Sequence, residues 1–192
     1  MKILLKGGRV IDPSQNIDST MDILIDGGTI SRIESNINPK SGIRVFDLKD
    51  KIVSPGLVDM HTHLREPGFE YKETIRTGSE SAVAGGFTSI ACMANTEPVN
   101  DSRSVTEFIL KQARLADMAN VYPVAALSRG LKGKVLAEFG ELKDAGAVAF
   151  SDDGNPVEDS GLMRNALVLM FTGDARHVAL RGYISLGWWR DE

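Results

Sequence analysis

The chain has 192 residues, with 22 Lys or Arg against 26 Asp or Glu for a net charge of −4, and 42% of it is hydrophobic. That composition suits a globular protein with a real core and lacks the basic block that binds nucleic acid or an anionic membrane surface. One cysteine, Cys92, excludes an internal disulfide framework, and no run approaches the roughly 20 apolar residues of a membrane span. The opening "MKILLKGGRVIDPSQ" has neither the apolar core nor the cleavage site of a signal peptide, so the expected location is the cytoplasm.

Residues 1–55 read as a small antiparallel β module: "KILLKG", "RVIDP", "MDILIDGGTISRIES" and "IRVFDLKDKIVSPG" are short β-rich stretches punctuated by Gly, Asp and Pro. Within them "ILIDGGTISRI" alternates apolar positions on both sides of Asp26-Gly27-Gly28, the signature of a hairpin. From Gly56 the rhythm changes. Strands are predicted at "GLVDMH", "FTSIACM", "NVYPVAAL" and "GAVAFS", and helices at "TIRTGSESAVAGG", "SRSVTEFILKQARLAD", "KVLAEFGELKDAG" and "SGLMRNALVLM". The second helix sets Val105, Phe108, Ile109, Gln112 and Leu115 on one stripe, with Asp101-Ser102 as its cap. Strand and helix alternating at this spacing imply a parallel sheet. Residues 56–169 are therefore expected to form about four βα units, half of a (β/α)8 barrel of α/β class.

His61 and His63 stand two apart at the end of an apolar strand, so in extended backbone both imidazoles leave the same face and can meet one metal ion. The plainer alternative is two surface or core histidines. Asp152 and Asp153 in "SDDGNP" also follow a strand, where an aspartate can complete a zinc site or bridge two metals; they would equally suit a turn or a helix cap. Arg65 carries a planar fork suited to a carboxylate, and Asn95 in "CMANTEP" can donate and accept beside it. Local roles are open to both, Arg65 pairing with Glu66 or Glu70 and Asn95 fixing a turn. Taken together, the residues point to an anionic small substrate near a metal. "GGRVIDP" and "AGGF" lack a phosphate-cradling pattern and read as turns and close packing.

"SPGLVDMHTHLREPG", "AGGFTSIACMANTEPV" and "LKDAGAVAFSDDGNPVEDSGLMRNAL" resemble the signatures of class I dihydroorotase, in the amidohydrolase superfamily, and the resemblance runs from residue 1 to about 168. It implies zinc-dependent, reversible hydrolysis of L-dihydroorotate to N-carbamoyl-L-aspartate in pyrimidine biosynthesis. It also implies one or two zinc ions held by His61, His63 and Asp153, with Arg65 and Asn95 on the substrate carboxylate. Hydantoinases and allantoinases are similar, but usually carry a carbamylated lysine in place of the "FSDDG" aspartates and lack the arginine. A non-catalytic dihydroorotase-like partner of aspartate transcarbamoylase tends to lose the metal ligands, which this chain keeps. Ala94 departs from the proline usual in "MPNT". Association with a second copy or with aspartate transcarbamoylase is the partner expectation.

Beyond "LMRNAL" the family pattern expects a strand with an "SHCED"-type histidine and later an aspartate that acts as general base. The chain reads "VLMFTGDARHVALRGYISLGWWRDE" instead, with His177 near the expected position and Trp188-Trp189 close to the end. Back-translated and read one base later, this stretch can yield "PVMSHCED". Residues 170–192 are therefore read as an aberrant, out-of-frame tail. The expectation is a shortened form with weak zinc binding, no catalytic base of its own and no useful turnover.

Overall fold

The computed structural model describes residues 1–172 and 179–180. Two compact units are separable, Met1–Pro55 and a second beginning at Gly56. Among the described residues no helix is long and apolar enough to cross a membrane. Of the tail read from 170 to 192, residues 170–172 and 179–180 are described; the rest, with His177 and the tryptophan pair, lies outside the described residues.

In the first unit β1 (Lys2–Asp12), β2 (Ile17–Asp26), β3 (Thr29–Glu34), β4 (Ile43–Asp47) and β5 (Ile52–Val53) share one sheet, ordered β3-β2-β1-β4 with β5 also on β1. The hairpin forms where the alternation placed it. Gly27 and Gly28 adopt φ of 59° and 84°, the left-handed pair a two-residue hairpin loop requires. Two expectations are corrected. "KILLKG" and "RVIDP" are one strand rather than two, because a register shift between Leu5 and Gly8 absorbs Gly7, at φ 74°, as a bulge. The sheet is also mixed rather than wholly antiparallel. Residues between β3 and β4 carry the chain from one edge of the sheet past β1, so β4 and β5 pair with β1 in parallel.

Asp22 fastens that return. Its buried carboxylate accepts the Gly7 N–H at 2.8 Å, the Ile37 N–H at 2.8 Å and the Lys6 ammonium at 3.2 Å. Burial pushes its pKa up, but these three donors more than offset that and hold it below the usual carboxylate value.

The second unit alternates β6 (Leu57–Thr62), α1 (Ile75–Ala84), β7 (Phe87–Cys92), α2 (Arg103–Ala116), β8 (Asn120–Ala125), α3 (Phe139–Ala145), β9 (Ala149–Phe150), α4 (Ser160–Thr172) and β10 (Ala179–Leu180). Every pairing in its sheet, ordered β10-β9-β8-β7-β6, is parallel. This is the β–α repeat of half a (β/α)8 barrel. Alternation along the strands splits the apolar residues between two faces. Ile90, Cys92 and Val121 pack with Val105 and Ile109 of α2 and Ile75 of α1, whereas Met93, Val124 and Ala149 form a separate cluster. A third cluster joins Phe139 and Leu142 of α3 to Phe150, Met163 and Ala166, with the Phe139 and Phe150 rings stacked at 4.1 Å.

Side-chain chemistry sets the start of α1 but not of α2 or α3, whose N-cap residues Ser102 and Glu138 make no side-chain cap bond; the cap expected from Asp101-Ser102 is corrected, since Asp101 accepts the Gly130 N–H instead. Thr74 caps α1 through a reciprocal box with Thr77. In α2 the buried stripe is Val105, Ile109 and Ala116, and Leu115 is 66% exposed: ten residues beyond Val105 a helix has turned to about 80° from the buried face, and eleven bring it back. The helix predicted from Lys134 starts only at Phe139. The Ala137 N–H bonds to the Leu127 carbonyl at 3.0 Å and the Arg129 N–H to the Val135 carbonyl at 2.8 Å, so residues 135–137 are spent on pairing with the segment that follows β8.

Candidate metal centre

Parallel strands in such a sheet deliver their following loops to one rim, at their C-terminal ends. His61 lies in β6 and His63 one residue beyond it, their ring centroids 5.1 Å apart and edge-on. Asp153 follows β9. Its Oδ1 lies 2.9 Å from His61 Nε2. Asn95, after β7, bridges the remaining gap, donating from Nδ2 to Asp153 Oδ2 at 2.7 Å and facing His63 Nδ1 with Oδ1 at 3.0 Å.

The bridge sets the state of His63. A carboxamide donates only through nitrogen, so an Asn95 that donates to Asp153 has only its oxygen left for His63. The tautomer of His63 that suits this contact is the one with its hydrogen on Nδ1, which leaves Nε2 to a metal. Sequence reading gave Asn95 a substrate role or a turn; this link between two candidate ligands was not anticipated. Its only forewarning was a carboxamide at the end of the strand beside the histidines.

Donor atoms of His61, His63 and Asp153 all lie within 4.8 Å of one another. A tetrahedral zinc ion with bonds of about 2.0–2.1 Å places its donors roughly 3.4 Å apart, and two imidazoles with one carboxylate suit a borderline divalent cation. The three residues thus fit one such ion.

Asp152 and Asp153 point apart. Asp152 is 3% exposed; its Oδ1 accepts the Ser128 N–H at 2.8 Å and its Oδ2 accepts the Ser128 hydroxyl. Burial pushes the Asp152 pKa up, and the Ser128 bonds offset this in part. Asp153, at φ 54°, turns the next carboxylate toward the histidines.

Arg65, at φ 58°, sits in the loop after His63. Neither proposed local partner holds its guanidinium. Glu66 accepts the Ile75 N–H at the start of α1 at 2.8 Å, and Glu70 accepts the Gly68 N–H at 2.8 Å. That loop is fastened to the one bearing Asn95 by the Glu97 N–H on the Pro67 carbonyl at 2.9 Å. A cleft of about 310 Å³ also opens near His63, but α1 residues Gly78, Ser81 and Ala82 line it with Phe87 and Ile90. It lies between α1 and the sheet, and Asp153 does not line it.

A half-barrel of parallel β–α units that gathers two imidazoles and a carboxylate at the C-terminal ends of its strands defines a barrel-type chain with a candidate metal centre. Residues 50–183 match the model of the dihydro-orotase-like family, and the chain belongs to that family. It is 66% identical over 168 residues to a dihydroorotase of Syntrophus aciditrophicus and 54% identical over 167 residues to one of Geobacter sulfurreducens. Each match covers 87% of this chain and 39% of the relative, so the chain spans about two fifths of their length. Among solved structures, L-hydantoinase from Arthrobacter aurescens superposes with a TM-score of 0.67 at 25% identity, over 78% of this chain and 32% of its own. D-hydantoinase from a Thermus species gives 0.66 at 24% identity, over 94% and 39%; that likeness shows the fold.

Proposed function

We propose that this chain carries the zinc-binding and carboxylate-recognising part of a dihydroorotase, for reversible hydrolysis of L-dihydroorotate to N-carbamoyl-L-aspartate in pyrimidine biosynthesis. The observation that carries the reading is the convergence of His61, His63 and Asp153 in a chain 66% identical to a dihydroorotase over 168 residues.

His61 and His63 offer imidazole nitrogens and Asp153 a carboxylate oxygen to zinc. Zinc held there supplies Lewis-acid chemistry, polarising a carbonyl and making water a stronger acid near neutral pH. Asn95 holds His63 in the ligating tautomer and steadies Asp153. Arg65, whose neighbouring glutamates are engaged elsewhere, presents its fork to the substrate carboxylate. The second hydrogen of the Asn95 amide nitrogen remains to donate to the same carboxylate. No described residue is assigned as the general base.

Calorimetric titration of the 192-residue chain with zinc, then with dihydroorotate or hydantoin, tests this. Zinc binds, and His61→Ala or Asp153→Ala weakens it at least about tenfold. Dihydroorotate binds the zinc-loaded chain, and Arg65→Met removes that binding. Equal affinity for hydantoin, which carries no carboxylate, with no effect of Arg65→Met, would favour a hydantoinase-type reading and overturn this one.

A further inference from the structure

We infer that Asp152 is a positioning residue for the metal centre: by gripping Ser128 in the loop after β8 it fixes the backbone that aims Asp153 at the two histidines. This rests on the metal-site reading above.

The geometry leaves Asp152 no contact with the cluster. Its two carboxylate oxygens are both directed at Ser128, one to the backbone N–H at 2.8 Å and the other to the hydroxyl. Ser128 is itself buried, and its hydroxyl oxygen accepts the Gly133 N–H at 2.7 Å. The grip therefore reaches into the loop between β8 and α3. On the other side the turn is closed locally: Asp153 N–H donates to Ser151 Oγ at 2.9 Å, and Asn155 N–H to the Asp152 carbonyl at 3.0 Å.

Two bonds on either side of one peptide unit thus hold residue 153 at φ 54°, a left-handed conformation that a non-glycine residue keeps only when its surroundings enforce it. The two side chains part at this turn, Asp152 bonding Ser128 while Asp153 faces His61 and Asn95. β9 has only two residues, Ala149–Phe150. The strand ladder ends with Ser151 N–H on the Ala125 carbonyl at 2.9 Å, and beyond it the Asp152–Ser128 pair is the side-chain link from this turn to the neighbouring strand's loop. A buried carboxylate satisfied by a neighbouring loop, adjacent to one that can ligate, is the arrangement by which outer groups orient metal ligands.

The test is a double-mutant cycle read by zinc affinity, with a chromophoric chelator as competitor, and by the visible spectrum of the cobalt(II)-loaded chain. Asp152→Ala should weaken zinc binding about tenfold or more and alter the cobalt spectrum. In the Asp153→Ala background the same change should add little further loss, because its effect passes through Asp153. Ser128→Ala, which keeps the backbone donor, should give a smaller loss in the same direction, and it stands in if Asp152→Ala fails to fold. Full additivity of the Asp152 and Asp153 losses, or wild-type affinity and spectrum in Asp152→Ala and Ser128→Ala, overturns the inference with the metal site intact. Unchanged affinity in Asp153→Ala overturns the metal site itself and the inference with it.

Discussion

Gly68 packs the loop after β6 against Glu97 in the loop after β7. A Cβ added there would lie 2.0 Å from the Glu97 carbonyl oxygen and 2.6 Å from Glu97 Cβ. Carbon and carbonyl oxygen rest comfortably at about 3.3 Å or more, so Gly68→Ala must drive the loops apart by about 1.3 Å. The Glu97 N–H to Pro67 carbonyl bond, now 2.9 Å, does not survive that separation, a loss of about 0.5–1.5 kcal/mol. The backbone at φ +97° adds about 1–2 kcal/mol for any residue with a Cβ. Together the change destabilises the second unit by about 1.5–3.5 kcal/mol, which lowers Tm by roughly 5–15 °C. The same displacement moves Asn95 away from His63, so zinc affinity falls with stability. Calorimetry with and without zinc reads both effects. Gly140→Ala in α3 is the control: a Cβ there meets nothing within 4 Å, and alanine in a helix gains about 0.5–1 kcal/mol. A Gly68→Ala chain as stable as its parent, with unchanged zinc affinity, refutes the reasoning.

Phe150→Ala empties a fully buried site against the stacked Phe139 ring; a loss of about 3–5 kcal/mol is expected by urea unfolding, and a loss under about 1 kcal/mol would mean that α3 and α4 do not close on β9. Asp22→Asn leaves one of the Gly7 and Ile37 N–H groups without its carboxylate oxygen, at about 1–3 kcal/mol. Because the folded Asp22 pKa is lowered, its ionised form adds stability above the unfolded value of about 3.9, and that stability is lost as pH falls through the lower folded value. The gap in Tm between parent and variant should therefore narrow on acidification through that window, and a gap constant from pH 7 to pH 2 contradicts the assignment. Burial pushes the Cys92 thiol up to about 12, and only the thiolate reacts readily. A disulfide reagent at pH 8 should leave the native chain unlabelled and take up one equivalent after unfolding; rapid labelling of the native chain would show Cys92 exposed.

What the sequence makes legible is what local periodicity and turn chemistry decide. The Gly27-Gly28 hairpin, the parallel β–α alternation and the facing pair His61 and His63 all follow from spacing within a few residues. What it hides depends on distant partners. Residues 134–137 have the apolar spacing of a helix, yet 135–137 return to pair with Leu127 and Arg129, and β4 runs parallel to β1 because the chain first crosses the sheet. Asp152 and Asp153 are adjacent and chemically identical, so their spacing does not say which one faces the histidines, and only the family resemblance singled out Asp153. A left-handed φ at Asp153 and a serine 24 positions from Asp152 make that decision. Asn95 could be picked out from its position after a strand, but its two partners lie 32 and 58 residues away.

The loops at the rim of the sheet are bonded in neighbouring pairs: Pro67 with Glu97, Asp101 with Gly130 at 2.8 Å, and Ser128 with Asp152. Anyone wishing to graft a different specificity onto this scaffold is therefore not free to exchange loops one at a time. A transplanted segment arrives without the carbonyl, carboxylate or hydroxyl that its neighbour expects, and the misfit passes to a loop whose sequence was left untouched. Libraries built on adjacent loop pairs, with each donor and acceptor varied together, should yield many more folded variants than libraries of the same size that randomise single loops.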